Sequence, residues 1–593
     1  MKTADGPFRL AEPVLSSDRP RWAWVLMLCA CALPLLTSLG LRDTWHTMEN
    51  VTLASSTETF LAQHGWHDIP QRDDAWVVPT WRGKPRLNKP PLAVWLNLMA
   101  WGDLTPDQTN PRELMLRARY VSVALGLLLI ASVYWLGLSV GNIHTGLLAA
   151  FFAGTTLLVQ RQARLASYDI HLTAFVTFAV AAAWWAIGPH RPDRPFKVWR
   201  YLLGWVLCGV GLGAAIMSKG PLAYPLLLLP AILCIALHRH DWLRNAGGLL
   251  IGLAVATALA FPWYNYILTT FPDTASGLSH EYAAARPEFQ PVWYYVGLLG
   301  LIWPWTVLFF GAIFQPWGLA TGSRRRQMLY AWGWMALIFI FFSIPAAKQQ
   351  RYILPIIPAI GLMFGAFWVD HQRITDAGEK DEKLDWLRIP HWVMLAGAPL
   401  VVMGMILGYD WFIQNGHTDM AAFGKVQLPL IIFWVLLCSG ITYLGAKAHW
   451  RNEHLRAGYL NAAWAIVFTS MILHAYSIGH DQLHPVYNEA VRFKQVVNDS
   501  PVRFLHMTDR HDELNEEFVF FSMRIIDSIE MDQLQDFMSD TNYPAKMPRY
   551  VMVLDNNMAA DKLTAAGLTE VLVFNQDSHE NEPMKTHLWQ YKP

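Results

Sequence analysis

The sequence predicts an α-helical polytopic membrane protein with a small external α/β domain at its C-terminal end. Three observations predict it. Of 593 residues, 53% are hydrophobic and only 16% charged, against about a quarter charged in an ordinary soluble protein. The apolar residues gather in runs long enough to cross a bilayer. Residues 480–593 then lose that composition altogether.

Thirteen apolar segments can be marked, at 22–41, 119–139, 143–160, 169–188, 201–217, 221–237, 246–269, 292–315, 328–344, 353–369, 391–408, 428–446 and 457–476. The short 201–237 pair also reads as one re-entrant hairpin. The first segment follows about twenty mixed residues without a small-residue cleavage pattern, so it reads as a retained span. The 29 Trp and 29 Phe fit interfacial anchors. Arginines and lysines sort onto alternate loops: Arg9, Arg19 and Arg21; Arg191 to Arg200; Arg239 and Arg244; Arg324 to Arg326; Arg373 to Lys383; Lys447 to Arg456. That side is expected to be cytoplasmic, and an odd span count puts the C-terminal region outside. A formal net charge of zero gives no nucleic-acid footprint. The five cysteines all lie in apolar stretches, with no CxxC or Cys/His cluster for a structural zinc.

The domain reading is 1–479 for the membrane part, with a long first external loop at 42–118 containing amphipathic pieces, and 480–593 for the external domain. In the latter, 502–507, 550–554 and 570–574 read as strands, with helices at 488–498 and 558–566. No nucleophile or metal motif appears there, so its expected role is recognition or a lid.

The chemistry-bearing residues fall at one face. Asp43, Glu49, Lys89, Asp169, Lys219, His280 and Lys348 all sit at or near the external ends of spans in this topology. An ionisable group at a membrane face is costly without a role, and Lys219 and Lys348 oppose the positive-inside tendency, which points to an anionic ligand. Lys89 precedes Pro90-Pro91, which fix the backbone and disfavour helix just before them. Its ammonium is held at a rigid corner, suited to a lipid phosphate. Asp43 and Glu49 follow the first segment and offer a general base or a metal ligand; Glu58 reads as a helix surface residue. Asp169 opens a helix, where a carboxylate also suits the macrodipole. Lys348, Arg351 and Tyr352 fall in one turn-like stretch and resemble a phosphate clamp.

The order of motifs resembles the bacterial GT-C membrane glycosyltransferases related to protein O-mannosyltransferases and to the lipid A aminoarabinose transferase. The stretches are Gly65-Trp66 with Pro70, Lys89-Pro90-Pro91-Leu92-Ala93-Val94-Trp95-Leu96, Arg117 to Tyr120, Ala163 to Asp169, and Ser218-Lys219-Gly220-Pro221. Then come Phe261-Pro262-Trp263-Tyr264, Pro291 to Tyr295 leading to Pro304-Trp305, and Lys348 with Tyr352-Ile353-Leu354-Pro355. Two departures stand out: Met48-Glu49 replaces an Asp-Glu pair, and Asn88 and Arg86 replace an acid and a tyrosine before Lys-Pro-Pro.

The resemblance implies a glycosyltransferase moving a sugar from a polyprenyl-phosphate donor to a lipid or protein acceptor, lipid A among them, on the periplasmic face of the inner membrane. It places Lys89 and Tyr352 on the donor phosphate with Lys348 nearby, Glu49 or Asp43 as the first-loop acid, and Asp169 as the second. Arg86 adds a further cation for the phosphate. His280 falls where some members hold a divalent metal ion, the one cofactor the resemblance allows. A leaving lipid phosphate needs preorganised cations more than a proton donor. The alternative is a lipid-linked sugar transporter or flippase, which should carry ionisable residues at mid-membrane depth and related halves; neither is visible in the sequence.

Overall fold

In the computed structural model the described residues are 22–44, 47–66, 71–187, 197–237, 241–272, 290–318, 322–378, 382–415, 428–483, 486–506, 515–544, 546–554, 557–575 and 585–592. Each of the thirteen apolar segments contains helix. The helices that build the site are α1 (Ala23–Leu36), α2 (Thr47–His64), α3 (Leu92–Trp101), α4 (Pro111–Val140), α5 (Ile143–Thr155), α6 (Leu157–Gln162), α7 (Tyr168–Ile187), α8 (Val198–Lys219), α9 (Ala223–Leu237) and α10 (Trp242–Thr270). Among the described residues, eight helical runs are long and apolar enough to cross a membrane, or nine with a bent pair. α1 and α5 are apolar but short, at 14 and 13 residues.

Two segments differ from a plain span. The 292–315 segment is a pair, Trp293–Leu301 and Thr306–Trp317, bent by 113°. The run Val198–Ala236 reverses at Gly220, whose φ of +81° suits a residue without Cβ. The contacts fix the reversal. Lys219 reaches Asp169 at the start of α7, while a Cβ on Gly204 would meet Ala186 near its end, so α8 runs antiparallel to α7. Leu233 of α9 packs on Gly333, one turn from Tyr330, whose ring lies 4.9 Å from Trp184 near the end of α7. α9 therefore returns toward the end of the bundle from which α8 came, and Lys219 is left at the turn.

The first loop corrects an expectation. α2 is a polar helix, yet residues 51–62 are buried all round. Its hydroxyls make this tolerable by bonding back one turn: Thr52 donates to Met48 O, Ser56 to Thr52 O and Thr59 to Ser55 O. Asn97 of α3 adds a bond to Ser56 at 3.0 Å. Glu58, expected on a helix surface, is 2% exposed. It accepts from the backbone N–H groups of Arg82 and Gly83 at 2.6 and 3.2 Å, in the turn of a hairpin of β1 (Thr80–Trp81) and β2 (Lys84–Pro85).

The C-terminal segment forms a five-stranded mixed sheet in the order β4-β3-β5-β7-β6. Its strands are β3 (Val502–His506), β4 (Asp527–Glu530), β5 (Arg549–Leu554), β6 (Thr569–Asn575) and β7 (Lys585–Tyr591). β3, β5 and β6 match the sequence reading, as do helices Val486–Val497 and Asn557–Ala565. β4 and β7 were not anticipated: β4 is an acidic, largely exposed edge, and β7 mixes charge and aromatics. One apolar cluster joins Leu53, Phe60 and Trp101 of the first loop to Phe493, Phe518 and Phe574 of this segment. The two polar segments thus share a core. The Arg82–Glu516 ion pair at 2.9 Å ties them again, and a Cβ on Gly83 (φ +70°) would strike Asp527 at 2.6 Å.

Candidate active site

The chemistry-bearing residues gather where the bundle meets the first loop, in two acidic centres. The first is built around α4. Arg119, 1% exposed, donates from Nε and Nη2 to Glu49 at 2.8 and 3.0 Å. It also donates to the backbone oxygens of Leu39, Arg42 and Asp43. Glu49 accepts a further bond from the Ala166 N–H at 3.1 Å. Burial pushes the Glu49 carboxyl up, but the charge and bonds of Arg119, aided by Arg42 and the Ala166 N–H, hold it below the usual carboxylate range. Asp43, 1% exposed, forms a bidentate pair with Arg112 at 2.8 and 2.9 Å. Arg112 itself is about a third exposed. Arg164 donates to the oxygens of Pro34, Leu35 and Thr37, satisfying carbonyls at the C-terminal end of α1.

The second centre is built around Asp169, the second residue of α7. Lys219, from the α8–α9 turn, reaches its Oδ1 at 2.5 Å. Arg351 Nε approaches Oδ2 at 3.4 Å. Tyr352, beside Arg351 on a 3-10 turn (Gln350–Ile356), places its ring 4.8 Å from the Lys219 ammonium. Asp169 is 4% exposed, while the side chains of Lys219 and Arg351 are 13% and 14% exposed. The two motifs quoted for the resemblance, around 218–221 and 348–355, therefore meet on one carboxylate.

The remaining predicted residues lie on segments that pack near or hold this centre. Arg86 donates to Val51 O at 3.1 Å and lies 5.5 Å from the ring of Tyr168, the neighbour of Asp169. Lys89 stands half-buried at the turn into α3, and α3 packs on α4 and α8. Trp95 of that helix is stacked on Trp76 and donates to its carbonyl at 2.7 Å, and Trp263 of α10 donates to Val77 O at 2.9 Å. The Lys-Pro-Pro and Phe-Pro-Trp-Tyr motifs thereby grip the same piece of first loop. Lys348 is 5% exposed and donates to Gln290 O and Pro345 O at 3.0 and 2.7 Å, which holds the stretch carrying Arg351 and Tyr352. His280 lies outside the described residues. Among the described residues, no group of three or more His, Cys, Asp or Glu could hold a metal ion.

Sequence reading missed Arg112 and Arg119, the partners of Asp43 and Glu49. The signal was present as Arg117 to Tyr120 but could not reveal a partner about 70 residues away. Arg161 lies just outside the Ala163 to Asp169 stretch and carries no signal of its own in the sequence.

Comparison with known proteins agrees with this geometry. A profile described as dolichyl-phosphate-mannose-protein mannosyltransferase matches residues 100–275. An undecaprenyl phosphate-α-4-amino-4-deoxy-L-arabinose arabinosyl transferase from Pseudomonas aeruginosa (strain UCBPP-PA14) is 26% identical over 470 residues, 75% of each chain. Over three quarters of its length the chain is similar to polyprenyl-phosphate-dependent membrane glycosyltransferases. A similarly described enzyme from Pseudomonas fluorescens (strain Pf0-1) is 29% identical over 312 residues, and the match spans 50% of this chain and about half, 51%, of that one. The crystal structure of ArnT from Cupriavidus metallidurans bound to undecaprenyl phosphate superposes with a TM-score of 0.66 at 18% identity, covering 96% of this glycosyltransferase and 98% of that chain. That likeness shows the fold, and the chain is a multi-pass inner-membrane protein.

Proposed function

We propose that this glycosyltransferase takes a sugar from a polyprenyl-phosphate donor and passes it to a phosphate of a lipid acceptor, lipid A being the candidate. The observation that carries the reading is the pair of cations on one carboxylate, Lys219 and Arg351 on Asp169, with Arg86 beside the neighbouring Tyr168. Relatives named as undecaprenyl phosphate aminoarabinose transferases support the donor class, and aminoarabinose is the sugar to try first.

The reaction needs few proton movements. An acceptor phosphate oxygen attacks the anomeric carbon with inversion. The bond from that carbon to the donor phosphate oxygen breaks, and polyprenyl phosphate leaves with the bonding pair. Charge grows on the leaving phosphate, where Lys89, Arg86 and the Tyr352 hydroxyl stabilise it. Lys348 acts through the stretch it anchors. Asp169 pairs with its two cations and orients them. Of the first-loop acids, Asp43 is the one whose partner is partly exposed, so it takes the proton if the acceptor is a hydroxyl; Glu49 is a positioning residue. The reactive end, the first loop 42–118 and a C-terminal domain of 480–593 face the periplasm, with the N-terminal side cytoplasmic. A flippase reading is set aside because the named relatives are transferases.

Purified protein in nanodiscs, given radiolabelled undecaprenyl-phosphate aminoarabinose and lipid A, should release undecaprenyl phosphate and label the lipid. No transfer from this or any other polyprenyl-phosphate sugar, with donor moving between leaflets, overturns the proposal.

A further inference from the structure

Beside the Asp169 centre lies a small cavity of about 100 Å³ lined by Arg161, Gln162, Tyr294, Gln349, Gln350 and Arg351. Three separate chain segments build it: the C-terminal end of α6, the 3-10 turn Val292–Gly297, and the residues that begin the 3-10 turn Gln350–Ile356. Its volume is far below the ~300–1,000 Å³ of a pocket for a drug-sized molecule, and suits one tetrahedral oxyanion better than a sugar ring.

The chemistry of the walls is one-sided. Besides Leu158, two guanidinium side chains, three carboxamides and a phenol line it, and among the described residues no carboxylate does. Two guanidinium groups beside one small space favour an anion over a cation there. Arginine is the residue whose planar fork matches phosphate oxygens in pairs, and the carboxamides add neutral donors. One wall is shared with the reacting centre, because Arg351 also approaches Asp169 at 3.4 Å. An anion seated here therefore lies next to the Lys219–Asp169–Tyr352 group.

We propose that the Arg161–Arg351 cavity is a subsite for a phosphomonoester, and that the phosphate it takes is the acceptor's. This rests on the glycosyltransferase reading for its meaning, but the binding can be tested apart from turnover. The donor's phosphate is assigned to the side of Lys89 and Arg86, so two anions are held around Asp169 by different cations. Arg161 selects acceptors that carry a phosphate.

The test is equilibrium binding to protein in nanodiscs, with bisphosphorylated lipid A, enzymatically dephosphorylated lipid A and undecaprenyl phosphate as three separate probes. Arg161→Gln is expected to weaken lipid A binding at least tenfold and to leave undecaprenyl phosphate unchanged. Dephosphorylated lipid A should bind wild type as weakly as lipid A binds the variant. Gln350→Glu, at an exposed position, should weaken lipid A binding in the same way, and Arg161→Lys should restore part of it. Selective loss of undecaprenyl phosphate binding would make this the donor site and overturn the proposal. Equal binding of all three probes by wild type and both charge-altering variants overturns it too. Absence of turnover in wild type with these binding differences intact would instead count against the transfer reading alone.

Discussion

Two acids in this protein sit in nearly the same degree of burial and are arranged for opposite ends. Glu49 has both oxygens bonded by Arg119, an arginine that is itself fully enclosed and spends its other donors on three backbone carbonyls. Asp169 meets two cations from two different segments, one at 3.4 Å, and both cations keep some exposure. The first arrangement ties α1, α2, α4 and the Ala166 backbone into one piece. The second leaves charge where a substrate can reach it. The comparison teaches that the partner, more than the burial of the acid, distinguishes a carboxylate locked into the fold from one held beside partly exposed cations.

Breaking the first centre should have the largest effect. Glu49→Gln leaves the Arg119 guanidinium enclosed without its counter-charge, a class of change that costs about 3–5 kcal/mol. The expected result is loss of folded protein in detergent by thermal unfolding, with near-normal turnover in whatever folds. A well-folded but inactive Glu49→Gln would reverse the comparison and make Glu49 the reactive acid.

Asp169→Asn should do the converse. Its thermal midpoint stays close to wild type while kcat falls about a hundredfold, or about 2.7 kcal/mol of transition-state stabilisation. Lys89→Ala sharpens the same contrast from the donor side: binding of undecaprenyl phosphate falls about tenfold or more, and the fold is kept. Unchanged donor binding in that variant would move the leaving-group site elsewhere.

The contact between first loop and C-terminal sheet should depend on pH through Glu58. Burial pushes this carboxyl up to about 7, against bonds from Thr80, Gly83 and Arg82 that pull it down. The folded protein then keeps a proton that the unfolded chain releases above about 4.5. Stability from this group is full at low pH and declines as pH rises from about 4.5 to about 7. Hydrogen exchange in the 80–85 hairpin should increase over that window by several fold, and Glu58→Gln should flatten the dependence. The smallest effect belongs to Arg82→Ala. Its partly exposed pair with Glu516 is expected to contribute less than about 1 kcal/mol, read as a shift of a degree or two in the thermal midpoint.

The sequence by itself determined the helical membrane class, the thirteen apolar segments, and the motifs that meet at one end of the bundle. It could do so because hydrophobic run length and Pro/Gly punctuation are local properties, written in neighbouring residues. Three of the five C-terminal strands were legible for the same reason, and the acidic edge β4 was not. Tertiary structure alone decided which acid is clamped, since Glu49 and Arg119 lie 70 positions apart and Asp169 and Lys219 lie 50 apart. It also decided that a Thr- and Ser-rich helix would be buried, that Glu58 would be enclosed by a distant hairpin, and that Arg161 would share a cavity with Arg351. Each of these depends on which surfaces meet after packing, and pairing energy between distant side chains leaves no periodic trace along the chain.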